Sequence, residues 1–120
     1  MQQAMTYRER SHELLAKARA ELDTDLAQAG EKGWCAAASI VKAVAEERGR
    51  YHRVHRALYE VVAELVRETG DDDIRKEFAS ANELHHNFYE NWFDRENVEV
   101  RLNDVELFVG RVETLLSASP

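Results

Sequence analysis

The stretch LAQAGEKGWCAAASIVKAVAEERG, residues 26–49, decides the fold of this chain. It is the least polar segment of the sequence, and its apolar residues recur at the three- and four-residue spacing of one helix face, which predicts a helix over residues 25–48. Gly30 and Gly33 lie inside it, although glycine in a helix costs about 1 kcal/mol relative to alanine. Together with the alanines at 36–38, they indicate that another backbone comes unusually close. That neighbour is either another part of the same chain or a second copy of it.

Four further segments carry the helical spacing of apolar residues. The first opens with TYRE, in which Thr6 and Glu9 are expected to form a capping box. Asp23 or Thr24 is expected to cap the helix that follows, and Gly70 is expected to end the third helix in a left-handed conformation. The predicted helices are, in order, one that opens at Thr6 and those over residues 25–48, 51–69, 72–92 and 95–117.

Five helices with short connections predict an all-α fold, an up-and-down helical bundle with antiparallel neighbours. A length of 120 residues predicts a single domain over residues 1–120. We expect residues 1–5 and 118–120 to be frayed termini. The inner faces of the third and fourth helices are predicted to include Tyr51, Val54, Leu58, Val61, Leu65, Phe78, Ala81, His85, Phe88 and Trp92.

The composition narrows the classes of partner. A formal net charge of −7 does not favour RNA, because nucleic-acid binding depends on Lys and Arg side chains that neutralise phosphates. The single cysteine, Cys35, excludes an internal disulfide and a zinc site made of several cysteines. No stretch approaches 18 apolar residues, and the N-terminus lacks an apolar signal core. The chain is predicted to be cytoplasmic, without a membrane partner or a cofactor.

Four of the five histidines fall in two short segments, RYHRVH, with His52 and His55, and NELHHNFYENW, with His85 and His86. If the third and fourth helices form a hairpin, His55 and His85 are level to within roughly 3 Å along the helix axes. By the same count, His52 is level with Tyr89. His55 and His85 are therefore predicted to approach each other across the hairpin.

Three interpretations of this junction remain open. In the first, the histidines are partly buried and hydrogen-bonded, and they fix the register of the two helices. In the second, His52, His55, His85 and Glu90 converge as ligands of a metal ion. In the third, the site performs acid–base chemistry on RNA, with Arg50 holding a phosphate and His55 transferring a proton.

Four blocks of the sequence are LAQAGEKGWCAAASIVKAVAEERG, HRVHRAL, TGD and LHHNFYE. In their order and spacing they resemble the PaREP1 family, small helical proteins known mainly from archaea. The resemblance extends from about residue 10 to residue 115. PaREP1 proteins are similar to HEPN-type helical bundles, which implies an up-and-down bundle and a tendency to dimerise. HEPN-like proteins include ribonucleases, toxin components and partners of minimal nucleotidyltransferases.

The nuclease members of that group carry an Arg, usually followed by a polar residue, and a His four to six positions beyond the Arg, in a late helix. Arg50 and His55 match this spacing, but Tyr51 takes the polar position and the pair opens the third helix. The late helix that contains LHHNFYE has no matching pair. The resemblance therefore implies a HEPN-like protein with an incomplete catalytic motif.

The favoured prediction is a dimeric, non-catalytic interaction or ligand-binding module that takes a partner protein or a small anionic ligand. The second helix is the expected contact of the homodimer, and a nucleotidyltransferase is a further candidate partner. The alternatives are a metal-independent ribonuclease with Arg50 and His55 as its catalytic residues, and a metal-binding bundle. The residues expected to line the groove are Arg50, His52, His55, His85, Tyr89 and Glu90.

Overall fold

The computed structural model describes residues 2–116, and it confirms the predicted all-α fold. Five helices and no strand occur in that range. None of these helices combines the length and the apolar character that crossing a membrane requires. The helices are α1 (Gln2–Ala20), α2 (Leu26–Glu47), α3 (His55–Thr69), α4 (Asp72–Glu90) and α5 (Arg95–Glu113).

Helix α2 lies at the centre of the bundle and packs against each of the four other helices. Its alanines at 36–38 are buried. Gly30 faces Leu84 of α4, and a Cβ atom added at Gly33 would lie under 3.0 Å from Leu102 of α5. The close approach predicted for this helix is thus confirmed, and its neighbours belong to the same chain. Those neighbours cover the glycine face, so its close packing does not require a second copy of the chain.

The pairs α1–α2, α3–α4 and α4–α5 are antiparallel as predicted, whereas α2 and α3 run in the same direction. Trp34 of α2 contacts His55 at the start of α3, and Arg48 bonds to Glu64 farther along α3. Residues 48–54, the α2–α3 linker, therefore carry the chain back along α2. Residues 48–49 form a turn, and the Arg50 N–H donates to the Ala45 carbonyl oxygen. The return is made by residues 50–54, the extended segment, in which Val54 has extended backbone angles.

The first helix begins earlier than the sequence indicated. Helix α1 starts at Gln2, and the Thr6 hydroxyl donates to the Gln2 carbonyl oxygen at 2.9 Å instead of capping the helix. The predicted start at Thr6 is therefore wrong, and residues 2–5 belong to the helix. Met1 and residues 117–120, which include the predicted frayed segment 118–120, lie outside the described range.

The capping residues agree only partly with the prediction. Asp25, and neither Asp23 nor Thr24, caps α2, because its side chain accepts a hydrogen bond from Gln28 N at 3.1 Å. Gly70 ends α3 with a φ of 72°, as expected for a left-handed C-terminal glycine.

Helices α3 and α4 are shorter than predicted, and this moves three apolar residues to the surface. Tyr51 and Val54 precede the start of α3 and are 62% and 51% exposed, and Trp92 follows the end of α4 and is 65% exposed. These three residues do not join the core, which corrects the prediction. The expected inner residues that are buried are Leu58, Val61, Leu65, Phe78 and Ala81.

Candidate functional site

Aromatic and imidazole rings from three helices meet beside the centre of α2. The His55 ring stacks on Trp34 with centroids 4.9 Å apart and planes 13° from parallel. The His85 ring lies 5.1 Å from His55 and 5.4 Å from Trp34. The predicted approach of His55 and His85 across the α3–α4 hairpin is confirmed. Trp34, which the sequence did not connect with either histidine, is the residue on which both pack.

His85 is held by a carboxylate of the central helix. Its Nδ1 atom lies 3.0 Å and 3.2 Å from the two carboxylate oxygens of Glu31, and both side chains are 21% exposed. Tyr89 packs edge-on against the His85 ring at 5.5 Å. These contacts fix the position of α4 relative to α2, and they correspond to the first interpretation of the junction, a hydrogen-bonded lock.

His55 lies at the solvent-facing side of this cluster. Its pKa is lowered, first because packing removes part of the water around the ring and second because the neighbouring His85 imidazole opposes a further positive charge. Lys42 also acts to lower this pKa, whereas Glu31 acts to raise it. The neutral form of His55 is therefore favoured more than in a free histidine.

His52 does not belong to this cluster, and its predicted position level with Tyr89 is wrong. The reason is that His52 lies in the extended linker and not in α3. Its Nε2 atom is 2.7 Å from Glu46 Oε1, and its ring packs edge-on against Tyr7 at 5.5 Å. Its Nδ1 atom is buried and has no hydrogen-bond partner among residues 2–116.

Arg50 and His55 lie at opposite ends of the extended segment. Arg50 is anchored next to the end of α2 through its N–H, which donates to the Ala45 carbonyl oxygen at 2.8 Å. Its guanidinium donates to Glu64. The pKa of Glu64 is lowered, mainly by the hydrogen bond from Arg48 and to a smaller extent by the one from Arg50. The structure therefore does not bring together the Arg–His pair on which the ribonuclease hypothesis depended.

The remaining predicted groove residues do not complete a metal site. Glu90 is exposed at the end of α4, and Tyr89 is 72% exposed. Within the described part of the chain, no group of three or more His, Cys, Asp or Glu side chains is arranged to hold a metal ion. His52, His55, His85 and Glu90 thus do not converge as the second interpretation required.

Asn87 gives the segment LHHNFYE a structural role at the end of α4. Its side chain is fully buried, and its Oδ1 atom accepts hydrogen bonds from the backbone N–H groups of Trp92 and Phe93, each at 2.8 Å. Asn91, which directly precedes Trp92, has a φ of 53°, so the chain turns sharply here. Buried backbone N–H groups need such partners, and the segment therefore has a structural role at the α4–α5 turn.

Two adjoining cavities open between α1, α2 and the linker. Their volumes are about 350 Å³ and about 520 Å³, and both are lined by Lys42, His52 and Arg53. Arg10 lines the smaller cavity. The two cavities share these three lining residues, and together we call them the basic cleft.

The sequence analysis assigned His52 and His55 of this cleft to a site but did not assign Arg10, Lys42 or Arg53. Arg53 belongs to the basic segment 46–56, in which Arg48, Arg50 and Arg56 all pair with glutamates. Lys42 is the only charged residue between Lys32 and Glu46 of α2, and a lone cation in so apolar a stretch is a signal that could have been used. Arg10 of α1 lines the same cavity as Arg53. This arrangement depends on the path of the linker, which the spacing of residues in the sequence does not give.

The sequence of the whole chain was compared with known proteins. A model of the archaeal PaREP1/PaREP8 family matches residues 6–109, a range that includes Trp34, Lys42, His55 and Asn87. No curated protein and no solved structure is significantly similar to the chain. The chain belongs to the archaeal PaREP1/PaREP8 family.

Proposed function

We propose that this protein is a non-catalytic module that binds a small anionic ligand in the basic cleft. The observation that carries the proposal is the set of three cations that line the cleft: Arg10, Lys42 and Arg53. None of the three forms an ion pair with another residue of the described range 2–116. An anion that enters the cleft would therefore meet positive charge that the protein does not itself neutralise.

The surroundings of these cations make them unusual in this chain. The net charge is −7, and most other arginines are paired: Arg48 with Glu64 and Glu68, for example, at 2.8 Å and 2.7 Å. Lys42 is half-buried, and Arg10 and Arg53 are exposed. Like charges that line one cleft repel, and solvent weakens this repulsion only in part. A bound anion relieves it, which gives the ligand a favourable electrostatic contribution.

The carboxylate among the residues that line the two cavities is already used. Glu46 lines the cleft on the side of Tyr7 and Gln3, but one of its oxygens is 2.7 Å from His52 Nε2. Lys42 is close enough to influence both His55 and Cys35, since its charge acts to lower the pKa of each. The pKa of Cys35 is nevertheless raised, mainly by burial, so the neutral thiol is favoured.

A non-catalytic role is supported by the same geometry. The Arg50 guanidinium donates to Glu64. His85 is bonded to Glu31, and its ring packs against Trp34. A general acid–base residue has to reach a substrate that a second group holds in place. His55 lines the same cavity as the three cations, but the Arg50–His55 pair that the ribonuclease hypothesis requires is not formed, because Arg50 is bonded to Glu64.

Titration of the ¹⁵N-labelled protein with inorganic phosphate tests the proposal. We expect the amide signals around Lys42 and Arg53 to shift and the shifts to shrink as NaCl is raised, because screening weakens the attraction. Lys42→Ala and Arg53→Ala should each lower the affinity about tenfold, a loss of roughly 1.4 kcal/mol. Arg67→Ala is the matched control, since Arg67 is an exposed cation on α3 outside the cleft. Equal affinity in all three variants would refute the proposal.

A homodimer belongs to the same proposal, with a contact other than the one expected from the sequence. Tyr51 and Val54 line one surface depression, Val54 precedes His55, and Tyr89 packs on His85. Tyr51, Val54, Tyr89 and Trp92 are each more than half exposed, and we propose that they contribute to one interface, which we call the aromatic patch. Exposed apolar patches mark protein interfaces, and aromatic residues are enriched there. The nucleotidyltransferase partner implied by the family resemblance would compete for this patch.

A further inference from the structure

We infer that the ligand of the basic cleft is an amphipathic organic anion: a flat, apolar body carrying one acidic group. The inference rests on the proposed function and adds the chemical class of the ligand. It comes from the unequal lining of the two cavities. Their shared residues, Lys42, His52 and Arg53, lie where an apolar part and a polar part of the cleft meet.

The smaller cavity supplies the apolar part. Apart from the cations, its lining includes Leu14, Trp34, Ala38, Val54 and Leu58. The larger cavity is lined by Gln3, Tyr7 and Glu46 in addition to the shared residues. We call the smaller cavity the apolar compartment.

The size of the apolar compartment suits an organic group. Its volume is about 350 Å³, near the lower limit of typical small-molecule sites, which are roughly 300–1,000 Å³ and mostly apolar with a few placed polar groups. A one- or two-ring body fits that volume. Trp34 and His55 both line the compartment. Trp34 is buried against the stacked His55 ring, so His55 provides the aromatic surface that a planar body can contact.

Simpler ligands would use only half of this space. Inorganic phosphate would satisfy the cations but would leave water against Leu14 and Leu58. An uncharged apolar compound would fill the compartment but would leave Lys42 and Arg53 without a counter-charge. Binding energy from apolar burial grows with the area removed from water, by roughly 25 cal/mol per Å², so an anion with an apolar body gains from both parts of the cleft.

Calorimetric titration of the full chain with acetate, benzoate and 2-naphthoate tests the inference, because these carboxylates share one head group and differ in apolar area. We expect the affinity to increase about tenfold for each added ring. The emission of Trp34 should change with 2-naphthoate but not with acetate. A Trp92→Phe background leaves Trp34 as the single tryptophan, since the chain has two.

Val54→Asn makes the compartment more polar and keeps every cation. Val54 is half exposed and occupies the N-cap position of α3 without a capping side chain, a position at which asparagine is favoured. The fold should therefore tolerate the change. We expect Val54→Asn to weaken 2-naphthoate binding about tenfold and to leave acetate binding unaltered. Val100→Asn, an equally exposed change on α5, is the matched control and should alter neither.

The outcomes separate this inference from the proposed function. Affinity that rises with ring number and falls in Val54→Asn supports both. Equal affinity for the three carboxylates, lost in Lys42→Ala, overturns the inference and leaves an anion-binding cleft. No binding of any carboxylate or of inorganic phosphate overturns both.

Discussion

The imidazole of His55 lies flat on the indole of Trp34, with ring centroids 4.9 Å apart and planes 13° from parallel. Trp34 is only 4% exposed, so the contact joins the start of α3 to the protein core. The same contact, together with His85, lowers the pKa of His55. Packing and protonation are therefore linked at this residue.

The first prediction follows from that link. Because the pKa of His55 is lower in the folded chain than in the unfolded chain, the unfolded chain binds more protons as the pH falls below about 6.5, the ordinary histidine value. The contribution of His55 to stability is constant above that pH and is lost on acidification. Urea unfolding of the wild type should show decreasing stability from pH 7 to pH 5.5.

His55→Phe isolates this contribution, because a phenyl ring still stacks on Trp34 and does not titrate. The charged and titratable groups that act on His55, namely His85, His86, Glu31 and Lys42, remain in the variant. We expect a smaller loss of stability between pH 7 and pH 5.5 than in the wild type. Parallel pH profiles of the two proteins would show that His55 protonation is not coupled to folding.

The second prediction concerns the glycines. A methyl group at Gly33 would come under 3.0 Å from Leu102, a fully buried side chain, whereas nothing lies within 4 Å of the corresponding position at Gly110. Overpacking costs about 1–3 kcal/mol and outweighs the gain of up to about 1 kcal/mol in helix propensity. Gly33→Ala should lower the thermal midpoint, and Gly110→Ala should raise it. A stabilised Gly33→Ala would contradict the close packing of α2 against α5.

Asn87 is the subject of the third prediction. Asn87→Leu is similar in size but leaves the N–H groups of Trp92 and Phe93 without their acceptor, which should cost about 1–3 kcal/mol in the free energy of unfolding. Asn82→Leu on the same helix is the control, since the Asn82 side chain makes no hydrogen bond within residues 2–116. Chemical denaturation of both variants measures the difference, and equal losses would exclude the proposed role of Asn87 in the turn.

The sequence predicted the helices because their information is local. The apolar spacing of residues 26–49 and the left-handed glycine at Gly70 each depend on a few neighbouring residues, and the structure agrees with both. The approach of His55 to His85 was also predictable, since a short α3–α4 connection fixes the register of a hairpin. Helix ends were less predictable, because Thr6 can bond to Gln2 or cap a helix with the same local sequence.

The basic cleft could not be predicted in the same way. It exists because the extended linker returns along α2 and brings Arg53 opposite Lys42 and Arg10. An apolar stripe that includes Tyr51 and Val54 is equally consistent with a longer α3, and such a helix would have carried His52 to the α4 side. The direction of the linker is decided by tertiary contacts such as Trp34 with His55, which sequence spacing does not contain.

The fourth prediction tests the homodimer. Tyr89 is 72% exposed within the aromatic patch, and Leu107 is 54% exposed on α5. A buried, unpaired carboxylate is strongly unfavourable at an interface, so Tyr89→Glu should shift the protein from dimer to monomer in size-exclusion chromatography with light scattering. Leu107→Glu introduces the same charge elsewhere and should leave the dimer intact. A wild type that is monomeric at all concentrations would refute the homodimer. A dimer that is lost only in Leu107→Glu would place the contact on α5 and refute the aromatic patch as the interface.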